Sequence, residues 1–207
     1  MISRQKEIRL GSITTSETEV RDLLKAWIAI SIAFAILLRE SMPSSFYMTF
    51  ITTSLTVGIG FLLHELGHKV VAQRYGCFAE FRSFDNMLIF AVVMSFFGFV
   101  LAAPGAVMIS GKISRNKNGV ISAAGPLVNL ALAVIFFGLA LSHPTGITKI
   151  IASYGFLINS WLALFNMVPF WLFDGYKVWK WNKIAYFSIA GLAFLFVALR
   201  PYLLLQK

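Results

Sequence analysis

The residues best suited to chemistry lie in one apolar stretch, FLLHELGHKVV, at positions 61–71. It holds His64 and His68, two of the chain's three histidines, with Glu65 beside the first. Residues four apart share one face of a helix, so both imidazoles can bind one metal ion. Glu65 would lie about 100° round the helix from His64, where it can reach a metal-bound water without ligating the metal. The pattern predicts one Zn²⁺ per chain, with a zinc-activated water and Glu65 as general base.

Zinc at such a site needs a third protein ligand, and the sequence offers few. His143 precedes a proline in a turn between apolar segments, and Glu80 and Asp85 are near the motif in sequence. Asp174 is the single acid in the 122 residues after Asp85. An Asp-Gly pair at a membrane interface is also a common turn. The assignment of Asp174 as the third zinc ligand therefore depends on the membrane topology.

The composition is that of a membrane protein. Hydrophobic residues make up 58% of the 207, and charged residues 13%, against about 45–50% and about 25% in soluble domains. The mean hydropathy is +0.76. The net charge of +9 resides in short loops between apolar segments, which is typical of membrane topology and not of a nucleic-acid-binding face.

The apolar segments predict an all-α polytopic membrane protein with five to six transmembrane helices. A polar N-terminal tail, residues 1–22, precedes a single transmembrane domain at residues 23–207. The predicted spans are residues 23–38, 46–75, 119–142, 147–169 and 184–199.

The apolar stretch at residues 87–110 is ambiguous, and the charges favour one interpretation. If it does not cross, 14 of the 18 Lys and Arg residues lie on one side; if it crosses, 11 do. The positive-inside rule favours the first case, with the N-terminus and the active site on the cytoplasmic side. We therefore expect a re-entrant, β-rich loop near the active site. This topology also returns Asp174 to the side of His68 and leaves His143 on the opposite side.

Three segments together resemble the site-2 protease family of intramembrane zinc metalloproteases. Residues 64–68 resemble its HExxH helix, residues 125–129 (GPLVN) its GPxxN segment, and residues 166–175 its NxxPxxPLDG segment. The resemblance covers about residues 55–180. Leu172 and Phe173 stand where the family usually has Pro and Leu, so the backbone before Asp174 is expected to differ.

The resemblance implies roles for six residues. It makes Glu65 the catalytic base and Asp174 the third zinc ligand beside the two histidines. It also implies that Asn129 and Asn166 line the site near the substrate or its oxyanion. Both amides can instead hydrogen-bond between helices, as polar residues in transmembrane bundles commonly do.

We expect an intramembrane zinc metalloprotease that acts in regulated intramembrane proteolysis. Its partners would be the lipid bilayer and a membrane-protein substrate with an unwindable transmembrane segment. An edge strand within residues 87–110 would pair with that segment. A catalytically silent scaffold is a rival, opposed by the intact Glu65. A metal transporter is another, but it would need more polar groups along a membrane path.

Overall fold

The computed structural model describes residues 7–10, 13–42, 45–100 and 104–199, and it is mainly helical. The helices are α1 Glu17–Leu37, α2 Phe46–Thr53, α3 Ile59–Arg74, α4 Asp85–Ser95, α5 Arg115–Leu141, α6 Gly146–Asn166, α7 Asp174–Trp181 and α8 Lys183–Ala198. The strands are β1 Glu7–Leu10, β2 Ile13–Ser16, β3 Phe78–Ser83 and β4 Gly105–Ser110. They form two antiparallel pairs, β1 with β2 and β3 with β4.

Three helical stretches in the described part of the chain are long and apolar enough to cross a membrane. They are Phe46–Arg74, which joins α2 to α3, together with α5 and α6. Helices α4 and α8 are apolar but shorter. Helix α1 carries five charged residues in its first nine positions, and it is not among these three stretches.

The start of the chain differs from the predicted polar tail. Residues 7–10 and 13–16 form the paired strands β1 and β2, and α1 begins at Glu17, six residues before the predicted span. The Ser16 side chain caps α1 by accepting a hydrogen bond from the Glu19 backbone N–H at 3.1 Å. Acidic residues in the first turn also suit the positive end of the helix dipole. The sequence did not predict the start of α1 at Glu17, because the charged residues around it are typical of a solvated tail.

The stretch predicted to be a β-rich loop is part helix and part strand. Residues 85–95 form α4, and only residues 105–110 form a strand, which pairs with β3. An apolar run without alternating polar residues does not distinguish a buried helix from a strand. The predicted β content of this stretch is therefore too high.

Helices α2 and α3 run on through a π-helical turn at Ser54–Gly58. The indole N–H of Trp27 on α1 donates to the Ser54 carbonyl at 3.1 Å, which satisfies a carbonyl where the regular helical pattern changes. Buried hydroxyls on this stretch bond to carbonyls one turn back, as Thr56 does to Thr52 at 2.7 Å. The Trp27 contact fixes α1 against the helical stretch that carries His64 and His68.

Helix α5 is the centre of the bundle, because it packs against α3, α6 and α7. Its buried Ala123 and Leu130 belong to an apolar cluster with residues of α6, α7 and α8. The helices that carry the predicted site residues therefore all meet α5.

Candidate metal centre

Helices α3 and α7 bring three predicted metal ligands together. The Oδ2 atom of Asp174 lies 3.4 Å from His64 Nε2 and 3.0 Å from His68 Nε2. The two Nε2 atoms are 3.0 Å apart. All three residues are buried. Among the described residues this is the one group of three or more His, Cys, Asp or Glu side chains with converging ligand atoms.

The second ring nitrogen of each histidine has a partner that fixes the tautomer. His64 Nδ1 lies 2.6 Å from the Asn129 side-chain oxygen, and His68 Nδ1 lies 2.8 Å from the Ile121 carbonyl oxygen. Both partners accept, so each neutral ring carries its proton on Nδ1. The two Nε2 lone pairs then face each other and a carboxylate oxygen with no proton between them. A cation at this point would satisfy all three atoms.

The donor set and its spacing fit zinc. Tetrahedral zinc binds imidazole nitrogen and carboxylate oxygen at about 2.0–2.2 Å, which places two such ligands about 3.3 Å apart. The three observed separations are 3.0 to 3.4 Å. Two imidazoles and one carboxylate also match the ligand set of catalytic zinc sites that leave one position open.

Asp174 is placed by the segment that joins α6 to α7. It is the first residue of α7, after Phe173 in an extended conformation. A side chain at Gly175 would clash with the Met167 backbone, since a Cβ there would lie 2.3 Å from the Met167 carbonyl oxygen. This close contact fixes the start of α7. The second carboxylate oxygen, Oδ1, lies 3.7 Å from Lys177 Nζ.

Asn129 contacts a predicted ligand rather than a cavity. Its side chain is fully buried, and its amide nitrogen donates to the Gly60 carbonyl at 3.1 Å and to Asn159 Oδ1 at 3.0 Å. With its oxygen on His64, the whole amide is engaged within the protein. Asn166, at the end of α6, donates to the Leu162 carbonyl of its own helix at 2.9 Å.

Glu65 lies between the three ligands and strand β4. It is half-buried, and its carboxylate accepts a hydrogen bond from the backbone N–H of Val107. The structure thus places the predicted base beside the cluster, with one oxygen directed to the edge of β4.

The other candidate ligands lie in different surroundings. His143 follows α5, 14 residues beyond Asn129, which corresponds to about 20 Å along the helix axis. Glu80 bonds to Ser16 and Arg82. Asp85 is exposed and bonds to Lys25 at 2.7 Å.

Gly125 leaves the space in which the two imidazoles meet. A Cβ there would lie 2.5 Å from His68 Nε2 and 2.6 Å from His64 Nε2. We expect Gly125→Ala to displace both rings and to weaken zinc binding by at least about tenfold, the lower range for disturbed ligand orientation. Zinc titration of the purified apoprotein in detergent measures this loss.

The matched control is Gly138→Ala on the same helix. A Cβ at Gly138 meets no atom within 4 Å, and alanine favours a helix over glycine by about 1 kcal/mol. Zinc affinity should stay at the wild-type value. Equal affinities for the Gly125 and Gly138 variants would contradict the placement of the metal at Gly125.

Sequence reasoning missed three of the groups that orient the site. Asn159, the Ile121 carbonyl and Gly125 act through contacts between helices, which no local pattern displays. A signal existed for Asn159, because it is a polar residue inside a predicted span.

The chain is similar to a known protein family and to two named proteins. Residues 52–153 match the model of peptidase family M50. A protein of Methanocaldococcus jannaschii with the provisional name zinc metalloprotease MJ0611 is 41% identical over 180 residues, which are 86% of this chain and 91% of that protein. A Bacillus subtilis protein with the provisional name zinc metalloprotease YwhC is 28% identical over 144 residues, 60% of this chain and 65% of that protein. No solved structure matches the chain significantly.

The similarity to the M. jannaschii protein extends over most of both chains, and the family match includes the His64–His68 motif. With its apolar helices, the chain is an integral membrane protein whose cofactor is zinc. It belongs to peptidase family M50, the site-2 protease family of zinc metalloproteases.

Proposed function

We propose that this protease hydrolyses peptide bonds within or near the transmembrane segments of membrane-protein substrates. In this proposal His64, His68 and Asp174 hold the zinc, and Glu65 is the general base. One observation supports it most: three lone-pair atoms converge at 3.0–3.4 Å beside a glutamate that does not join them.

Individual residues of the chain would have distinct roles in peptide-bond hydrolysis. When bound, zinc supplies a Lewis acid that polarises a water and the scissile carbonyl. Glu65 accepts a proton from the attacking water as the carbon–oxygen bond forms, and it gives that proton to the amine nitrogen as the carbon–nitrogen bond breaks. Asn129 holds His64 in the tautomer that leaves Nε2 free. Asn166 is the stronger candidate for contact with the substrate, because the whole Asn129 amide is engaged within the protein.

The bilayer would surround more of the chain than the three long helices. We propose that α1 and α8 also cross, which gives five spans, and that residues 87–100 and 104–110 enter the membrane without crossing it. Residues 101–103 of the predicted loop lie outside the described residues. Large apolar side chains after α4 support this, since Phe96 and Phe97 are each 72% exposed. The charge distribution supports a cytoplasmic N-terminus and a cytoplasmic active-site side.

Strand β4 would present the substrate, because its outer edge lies beside Glu65, which accepts the Val107 N–H, and no other described strand covers that edge. Strand β3 directs its groups at residues 79, 81 and 83 away from β4, where they bond to side chains of α1 and α3. The residues opposite them, Gly105, Val107 and Ile109, must therefore point outward from β4 in an antiparallel ladder. Among the described residues no further strand pairs there. An unwound substrate segment can add to this edge by backbone hydrogen bonds.

Replacing Ile109 by proline tests this edge, since it removes one outward N–H. One backbone hydrogen bond contributes about 0.5–1.5 kcal/mol, so kcat/KM should fall about two- to tenfold. Ile109→Ala is the matched control: it removes similar packing from the cluster around Cys77 and Ala79 but keeps the N–H. If both variants cleave at the same rate with zinc bound, β4 is not the docking edge.

The proposed activity can be tested with a reporter that has one transmembrane segment containing an Asn-Pro pair, which favours local unwinding. Purified protein in detergent should cleave it, a chelator should stop cleavage and added zinc should restore it. Mass spectrometry of the products should place the cut within or beside the apolar segment. A cut confined to the soluble flanks would contradict the intramembrane specificity and leave only a general protease.

A further inference from the structure

We propose that Glu19 is a positioning residue for proteolysis, which sets the substrate-presenting edge of β4 at the correct distance from Glu65. This inference rests on the function proposed above. Glu19 lies in the first turn of α1, outside the three segments that resemble the family's motifs.

The Glu19 carboxylate is completely buried and joins three parts of the fold. It forms an ion pair with Lys69, which is only 1% exposed. The Thr15 hydroxyl donates to it at 2.6 Å. The backbone N–H of Phe81 donates to its other oxygen at 2.9 Å. The carboxylate therefore connects strand β2, helix α3 and strand β3.

Both ends of this connection are next to the reaction site. Lys69 directly follows the predicted ligand His68 on α3. Phe81 is in the middle of β3, and its cross-strand partner is Val107, whose N–H bonds to Glu65. One side chain thus fixes the sheet relative to the metal-binding helix. The rings of Phe61 and Phe81, with centroids 5.9 Å apart, form a second contact between α3 and β3.

Stability alone does not account for a charge at this point. Removing two charges from water is costly, and well-packed apolar residues often stabilise a fold as much as a buried ion pair does. A carboxylate has what an apolar side chain lacks, namely two directional acceptors that can hold a backbone N–H and an ammonium group together. The Phe81 N–H also becomes unavailable to any peptide, which leaves β4 as the open edge.

Two double variants distinguish the positioning of strand β3 by the Glu19 acceptor from the effect of the buried Glu19 and Lys69 charges. Glu19→Gln with Lys69→Met removes both charges, but the amide oxygen can still accept from Phe81. Glu19→Leu with Lys69→Met removes the same charges and also the acceptor. Each avoids a lone buried charge, which single variants would leave behind.

We expect the Gln–Met variant to keep a kcat close to wild type. The Leu–Met variant should lose about 100-fold in kcat, since misplacement of reacting groups by about 1 Å has that effect. Both should bind one zinc and have similar thermal midpoints, and KM should change little because the β4 edge itself is intact. Amide exchange across residues 78–83 should be faster in the Leu–Met variant only.

Equal kcat values for the two variants would overturn the role of Glu19. The role would also be overturned if the Leu–Met variant lost enough zinc or thermal stability to explain its lower activity, because Glu19 would then have only a structural role. If the wild type binds one zinc but leaves the reporter intact, the proposed function itself fails.

Discussion

Replacing Glu65 by glutamine should lower kcat by about 10²–10⁴-fold, the usual contribution of general acid–base catalysis. Glutamine keeps the shape of the side chain and can still accept the N–H of Val107. It has no basic carboxylate, so it cannot take the proton of the attacking water. Because Glu65 is not among the three converging ligands, zinc should remain bound at one per chain. Initial rates on the single-span reporter, with zinc content measured on the same samples, check both statements.

A suitable control is Glu40→Gln, which makes the same chemical change at an exposed carboxylate. It should cleave like the wild type. If Glu65→Gln cleaves at that rate too, another group accepts the proton. If Glu65→Gln loses zinc instead, Glu65 is a ligand and the assignment of Asp174 needs revision.

Removing the Asp174 side chain is expected to have the largest effect on metal binding. Asp174→Ala leaves two imidazoles without the carboxylate that lies 3.0–3.4 Å from their Nε2 atoms. A catalytic zinc site normally has three protein ligands, and two bind the ion far more weakly. The zinc-to-protein ratio after dialysis should fall from about one to a small fraction, and cleavage should be lost with it.

Asp85→Ala is the control for this loss, because Asp85 was an alternative third ligand. Its carboxylate forms an exposed ion pair with Lys25 at 2.7 Å, and exposed pairs of this kind contribute little to stability. Zinc content and cleavage should both be preserved. Full zinc occupancy in Asp174→Ala would exclude Asp174 as the third ligand.

The sequence is more informative about the centre of the candidate site than about its surroundings. His64 and His68 share a helix face by spacing alone, and Asp174 was favoured because few acids remain after Asp85. The orientation of Asn129 was not predictable, since an amide on a helix can face either a cavity or a neighbouring ring. The structure directs it to His64 Nδ1, and that contact depends on how α3 and α5 pack.

The same limit explains the start of the chain and the stretch at residues 87–110. Glu19 and Lys69 each look like solvated charges when considered alone, and only the packing of α1 on α3 makes them a buried pair. Residues 85–95 lack the alternation of a strand and form a helix, while residues 105–110 find a strand partner in β3. In both regions, contacts distant in sequence decide the structure.

X-ray absorption at the zinc edge of the purified wild-type protein tests the central claim most directly. We predict one zinc with two imidazole nitrogens and carboxylate or water oxygens at about 2.0–2.2 Å. The spectrum should be unchanged in Glu65→Gln, and the Asp174→Ala protein should lack this signal. Sulfur in the spectrum would indicate that Cys77, the chain's one cysteine, binds the zinc, and would contradict the site described here. An Asp174→Ala spectrum identical to that of the wild type would contradict it as well.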